Sequence, residues 1–337
     1  LRPDRIMAIG GGYSQAKVLL SAVGLGLFTV LGDQAMTAAE IADRLGLVPR
    51  PATDFLDTLV SVDLLGRDGD GPQARYRNTA ETAHFLDENS PAYQGGLLKI
   101  WDDRNYRYWA DLTEALKTGQ AQSETKHSGQ PFFETLYADP KRLEVFMAAM
   151  HSSSRRNFEL LATRFPFERY GRLCDVGGAD AVLTRIVAAA HPHLQCVSFD
   201  LQAVTEIAGR TIAEAGLAGR VQAVAGSFLT DPLPGADVIT MGMILHDWNL
   251  DQKRALIAKA YAALPDGGAF IVIESLIDDA RRSNTFGLTM SLNMLIEFGD
   301  AFDYTAADFR QWCLAAGFRS FDTIALDGPS SAAVAYK

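Results

Sequence analysis

The spacing of apolar positions changes near residue 165. From about residue 10 to 165 they recur every three or four residues, which predicts helices, and the apolar run 18–31 predicts one buried helix. After Phe165-Pro166-Phe167, short apolar blocks of strand type alternate with helical stretches. The blocks are 173–176, 196–200, 221–224, 237–241 and 270–274; the helical stretches include 182–190, 204–215 and 251–264. This alternation predicts a doubly wound α/β sheet with helices on both faces. Residues 321–326 and 332–336, joined by a short turn, predict a closing hairpin and hence an antiparallel last strand. Two domains are expected, a mainly helical one over 1–165 and an α/β one over 166–337.

Inside the helical part, Thr37-Ala38-Ala39-Glu40 has the form of a capping box, Gly46 ends that helix, and Pro51 opens the next. Phe55, Leu56, Leu59 and Val60 make an apolar face, and Leu64-Leu65, Gly69-Asp70-Gly71 and Arg75-Tyr76-Arg77 read as a hairpin. Together they predict a winged helix-turn-helix. Such a motif reads DNA when its second helix is basic, but 51–65 carries Asp54, Asp57 and Asp63 and no Lys or Arg. The whole chain, with 31 Lys and Arg against 41 Asp and Glu, has a net charge of -10. No nucleic acid partner is expected, and the motif is read as a pairing and lid element.

With 48% hydrophobic and 21% charged residues the chain has the balance of an ordinary globular protein. Cys174, Cys196 and Cys313 are odd in number and far apart, so no disulfide framework is expected and a reducing, cytoplasmic setting fits. The run 18–31 is broken by Gly24 and Gly26 and is too short for a bilayer, and no secretory leader is expected. No metal is expected either, because His191-Pro192-His193 has no Cys or carboxylate beside it.

In an open α/β sheet, ligands bind beyond the carboxyl ends of the strands where strand order reverses. That rule selects Asp175-Val176-Gly177-Gly178 after the first strand, where small residues let a ligand approach the backbone, and Asp200 after the second, where a carboxylate can accept from ribose hydroxyls. His246 and Asp247 follow the fourth strand and Glu274 ends the fifth. An imidazole with a neighbouring carboxylate can take a proton from a hydroxyl; the plainer alternative is a histidine that caps a helix.

Leu245-His246-Asp247-Trp248, Phe199-Asp200-Leu201, Gly219-Arg220-Val221 and Pro265-Asp266-Gly267-Gly268 before Ile271-Val272-Ile273-Glu274 resemble the small-molecule O-methyltransferases that use S-adenosylmethionine. The resemblance covers nearly the whole chain. It implies a class I methyltransferase sheet of Rossmann-like type, a winged-helix dimerisation domain and a homodimer. It also implies His246 as general base, flanked by Glu274 and by Asp303, which stands where relatives usually have Glu. Asp175, Gly177, Gly178, Asp200, Leu201, Ser227, Phe228, Gly242 and Asp247 are the implied cofactor residues. Phe146, Met150, Met243, Met294 and Phe298 are expected to face a small, aromatic substrate, with core packing as the alternative for Phe146 and Met294.

The pattern departs from the family on the cofactor side. Ala179 and Ala181 replace glycines of the first loop, Ser227 replaces an Asp that accepts from the adenine amino group, and Gly242 replaces a Lys. Each added methyl would crowd the ligand or strain a positive φ. An enzyme that has lost methyl transfer and runs hydroxylation, decarboxylation or pericyclic chemistry in the same pocket is therefore an alternative. An NAD-dependent oxidoreductase and a winged-helix DNA regulator are the rival classes, disfavoured by the antiparallel ending and by the acidic second helix.

Overall fold

Thr37 caps the helix Ala38–Leu45: its side chain accepts from the Glu40 amide, Glu40 accepts from the Thr37 amide, and Gly46 closes the helix in the left-handed region. The helix Pro49–Ser61 follows with proline in its first turn. Strands β1 (Met36–Thr37), β2 (Leu65–Asp68) and β3 (Arg75–Asn78) form an antiparallel sheet in the order β1-β3-β2. Asp57, one of the acids on the second helix, accepts from Arg67 at 2.7 Å and from the Tyr76 hydroxyl at 2.8 Å, so it fastens helix to hairpin. Ile41, Leu56, Leu59, Leu65 and Tyr76 bury against Val23, Leu27, Phe28 and Leu31.

The run 18–31 is not one helix. Helix Asp4–Gly24 ends, Gly26 turns the chain at φ +69°, and a separate helix Leu27–Leu31 begins. Glycine permits this corner, which lets both apolar pieces face the same core. The first helix also starts well before residue 10, and it carries exposed Ile6, Met7, Ile9 and Tyr13.

The computed structural model describes residues 1–130 and 132–337. Its packing divides into Leu1–Arg107 with Ala148–Ser153, and Tyr108–Met147 with Ser154–Lys337. The change of element type at 165 and the division of packing are thus different boundaries, because several helices before residue 165 pack with the α/β unit.

That unit is built on β4 (Arg172–Val176), β5 (Gln195–Asp200), β6 (Val221–Ala225), β7 (Val238–Gly242), β8 (Ala269–Glu274), β9 (Ser320–Ala325) and β10 (Ser331–Tyr336). The sheet order is β6-β5-β4-β7-β8-β10-β9, parallel from β6 to β8, with β10 antiparallel to both β8 and β9. Helices Val182–Ala190, Gln202–Glu214 and Leu250–Ala263 match three expected stretches closely; Thr285–Phe298 and Ala306–Ala316 fill the interval before the final hairpin. Period-two alternation sends Leu173, Val238 and Ile271 into one core and Cys174, Ile239 and Phe270 into the other. Strand order reverses between β4 and β7, so their carboxyl ends mark the ligand crevice. Among the described residues no helix is long and apolar enough to cross a membrane.

Candidate active site

The loop after β4 is shaped by its small residues. Gly177 has φ +72°, and a Cβ there would fall 2.3 Å from Ile244 Cδ1; a Cβ on Gly178 would fall 2.2 Å from Ser198 Oγ. Ala179 and Ala181 keep left-handed φ angles of +48° and +65°, the backbone that glycine would adopt freely. Each such angle costs an alanine about 1–2 kcal/mol. The methyl of Ala181 is wholly buried in the core, and Ala179 packs against an aromatic cluster around Phe132. The alanines therefore preserve the loop's conformation at the cost of strain.

Asp200, at the end of β5, accepts from the Ala179 amide at 3.0 Å and from the Leu201 amide at 2.7 Å, which locks the loop to the second strand. Thr240 donates to Asp175 at 2.7 Å. Burial raises Asp175 to about 7 and Asp200 to about 6. Ser227 donates its amide to Asp231 at 2.8 Å, and the Phe228 ring meets Trp248 edge to face at 5.9 Å. Lys259 donates to the carbonyls of Phe228, Leu229 and Asp231 at 2.7, 2.8 and 2.9 Å, and so holds that loop from behind. At Gly242 a Cβ would meet Phe158 at 3.3 Å. A Cβ here would point into the core, against Phe158 and Ile273.

His246 lies in the turn Leu245–Asp247 that follows β7. The residue before that turn's entry, Met243, has φ +54°, a strained value for a non-glycine residue, while its amide donates to the Ile273 carbonyl at 2.9 Å. The imidazole is buried, with Nδ1 3.3 Å from Asp303 Oδ1 and 3.7 Å from Glu274 Oε2, and with Nε2 3.4 Å from Asp247 Oδ1. Glu274 uses its other oxygen to accept from the Leu245 amide at 3.1 Å. Nδ1, Glu274 Oε2 and both Asp303 oxygens are sealed from solvent without an aligned hydrogen bond.

Burial pulls the His246 pKa down, but Glu274, Asp247 and Asp303 together outweigh it and hold the pKa well above the usual value. In turn, burial raises Glu274 to about 7 and Asp247 to about 6. His246, Glu274 and Asp247 form a proton-sharing set, with Asp303 beside the ring as a third acid. His246, Glu274 and Asp303 also place donor atoms within 4.8 Å of one another, which is metal-ligand spacing the sequence did not disclose.

Phe146 and Phe298 meet in one aromatic cluster, with Phe132 5.9 Å from Phe146 and Phe133 stacked on Phe298 at 5.7 Å. Tyr137 stacks on Phe133 at 6.0 Å, and its hydroxyl is held protonated by burial and by the charges of Asp200 and Asp247. Sequence reasoning missed Phe133 and Tyr137, although their four-residue spacing was a signal. Met294 is buried on helix Thr285–Phe298, Met243 accepts a contact from Ser154 Oγ at 3.4 Å, and Met150 falls in the N-terminal unit. Trp109, in a stretch the sequence left unassigned, donates to Asn293 at 2.9 Å.

Residues 109–319 match the model of the O-methyltransferase domain, and residues 7–88 match that of the O-methyltransferase dimerisation domain. The chain is 40% identical to the N,N-dimethyltransferase OxyT of Streptomyces rimosus over 93% of this chain and 90% of that protein. It is 37% identical to the tetracenomycin polyketide synthesis 8-O-methyl transferase TcmO of Streptomyces glaucescens, over 99% and 97% of the two chains. The crystal structure of human N-acetylserotonin methyltransferase in complex with SAM superposes with a TM-score of 0.91 at 27% identity, over 99% of this chain and 97% of that one.

Proposed function

The chain belongs to the O-methyltransferase family, and we propose that it transfers a methyl group from S-adenosylmethionine to a hydroxyl of a small aromatic secondary metabolite, with His246 as general base. The observation that carries this reading is the imidazole set between Asp303 and Glu274 at the carboxyl edge of the sheet, close to where strand order reverses between β4 and β7.

The cradle residues fit the cofactor. Gly177 and Gly178 leave bare backbone where a Cβ would collide, and Asp200, anchored by two amides, keeps lone pairs for ribose hydroxyls. Asp175, Leu201, Ser227, Phe228, Asp247 and the Gly242 backbone complete the set that would hold it. When bound, the cofactor supplies an electrophilic methyl group on a sulfonium sulfur.

His246 removes the acceptor's proton at Nε2, since Nδ1 is the sealed nitrogen. Glu274 and Asp303 stabilise the imidazolium that forms. A free phenol ionises near pH 10, so only about one in a thousand is anionic at pH 7, and its removal by a base is worth about 3–4 kcal/mol. A base whose pKa is raised toward that of the phenol brings the transfer closer to balance. Phe146, Met243, Met294 and Phe298, joined by Phe133 and Tyr137, face the acceptor.

The similarity to OxyT favours a second reading, an amine nitrogen as acceptor, for which the same base would remove the ammonium proton. Loss of methyl transfer is not favoured, because both of these relatives are named methyltransferases. The dimerisation-domain match and the exposed Ile6, Met7, Ile9 and Tyr13 support a homodimer paired through the N-terminal unit. The net charge of -10 speaks against nucleic acid, and three buried free thiols fit a cytoplasmic setting.

The test is release of S-adenosylhomocysteine from S-adenosylmethionine with a panel of hydroxylated and aminated aromatic acceptors. His246→Ala is expected to lower kcat by about 10²–10⁴ while S-adenosylhomocysteine still binds in calorimetry. Wild-type turnover in that variant would falsify the base assignment, and methylation of amines alone would replace the hydroxyl acceptor by nitrogen.

A further inference from the structure

Lys253 has no contact with water, which is unusual for an ammonium unless something compensates it. It belongs to helix Leu250–Ala263, on the same buried stripe as Leu256, Ile257 and Ala260. Its Nζ donates to the Trp248 carbonyl and lies 3.8 Å from the centroid of the Phe302 ring and 5.8 Å from that of Tyr304. These partners sit on two of the three segments that form the imidazole cluster. Trp248 closes the turn that presents His246, and Phe302 and Tyr304 bracket Asp303.

Four carboxylates act electrostatically on the ammonium: Glu274 from β8, Asp303, Asp247 from the His246 turn, and Asp300. One imidazolium cannot balance the acids around it, of which Glu274 and Asp303 are buried, and Lys253 brings a further buried cation to them. A methionine would fill the same space without the desolvation penalty, so the charge itself needs a reason. Burial draws Lys253 down to about 8, and the carboxylates keep it protonated at neutral pH.

We infer that Lys253 is a positioning residue, whose ammonium pins the His246 turn to the Asp303 segment and offsets the charge of the acids around the imidazole. The inference rests on the reading of His246 as the base. Without the ammonium the coupled cluster holds its protons to higher pH, and the base is available only under more alkaline conditions.

The experiment is the pH profile of kcat/KM, read by S-adenosylhomocysteine release, for the full-length wild type, Lys253→Met and Lys253→Arg. Lys253→Met is expected to move the acid limb up by about half a unit or more and to lower kcat about tenfold, with KM for S-adenosylmethionine within about threefold. Lys253→Arg is expected to return the limb toward its wild-type position. An acid limb that stays in place in Lys253→Met overturns the inference, however far activity falls.

Should Lys253→Met fail to fold, Asp300→Asn serves instead, since Asp300 is exposed. Removing that carboxylate lets Lys253 lose its proton earlier, so the alkaline limb is expected to move to lower pH; an unmoved limb overturns the inference. His246→Ala separates the two ideas. Full turnover there sinks the base reading itself, whereas an inactive His246→Ala with unmoved lysine-variant profiles removes Lys253 alone.

Discussion

Asp303 Oδ1 stands 3.3 Å from Nδ1 of His246, so an aspartate, one methylene shorter than glutamate, still reaches the imidazole. It reaches because its segment is drawn in. The Asp303 amide donates to Ser291 Oγ at 3.2 Å, and Phe302 and Tyr304 are tied to Lys253 on either side of it. Glu274 approaches the same nitrogen at 3.7 Å but also accepts from the Leu245 amide. The two acids therefore divide the work: Glu274 secures the turn, and Asp303 bears mainly on the charge of the ring.

Asp303→Asn removes that charge and keeps the shape. The His246 pKa is expected to fall, moving the acid limb of kcat/KM to lower pH by about one unit. The maximal rate is expected to drop about tenfold, because the imidazolium that the proposed proton removal would form loses part of its stabilisation. Steady-state profiles of the two proteins decide it, and superimposable limbs would mean that Asp303 does not act on the ring electrostatically.

The sheet was legible because strands buried on both faces must be apolar throughout, and β8, with all six residues buried, is the clearest case. The convergence of His246 and Glu274 was legible for a topological reason: β7 and β8 are neighbours, so residues just past their carboxyl ends meet. Asp303 was different, since it lies in a connection without strand register, and only resemblance to a family pointed to it. Ala179 and Ala181 looked like obstacles because a one-letter code shows a methyl and not its direction. The fold turns the Ala181 methyl into the core and leaves the loop its left-handed backbone.

Other features stayed hidden because periodicity cannot weigh competing choices. The run 18–31 has the composition of a single helix, but Gly24-Leu25-Gly26 bends it so that two faces share one core. Lys253 lies three and four positions from Leu256 and Ile257, hence on an apolar stripe, yet a lysine there reads as a helix-rim residue until its aromatic and carbonyl partners are known.

Lys259 makes three charge-assisted hydrogen bonds to the loop that carries Ser227 and Phe228. Lys259→Met leaves three carbonyls without their common donor and loosens the loop. Affinity for S-adenosylhomocysteine is expected to weaken about tenfold, which is about 1.4 kcal/mol, while kcat at saturating cofactor changes less than about twofold. Calorimetry and saturation kinetics measure the two quantities separately. Unchanged affinity with a lowered kcat would place the lysine's influence on the chemical step and not on the cofactor.

Asp175 links the cradle to pH. Its carboxyl is raised by burial to about 7 in the folded chain, against about 3.9 when unfolded, so between these values the folded state binds the extra proton. Its stabilising contribution is therefore complete below about pH 4 and is lost as pH climbs through 7. Asp200, raised to about 6, acts with the same sign. Asp175→Asn keeps an oxygen for the Thr240 hydroxyl and removes the titration. Urea midpoints of the ligand-free protein are expected to fall between pH 5 and 8 in the wild type and to fall less in the variant, which gains on the order of 1 kcal/mol or more at pH 8. Parallel pH dependences in the two proteins would show that the buried carboxylate is already ionised without a ligand, and that the cradle keeps its charge by means other than proton release.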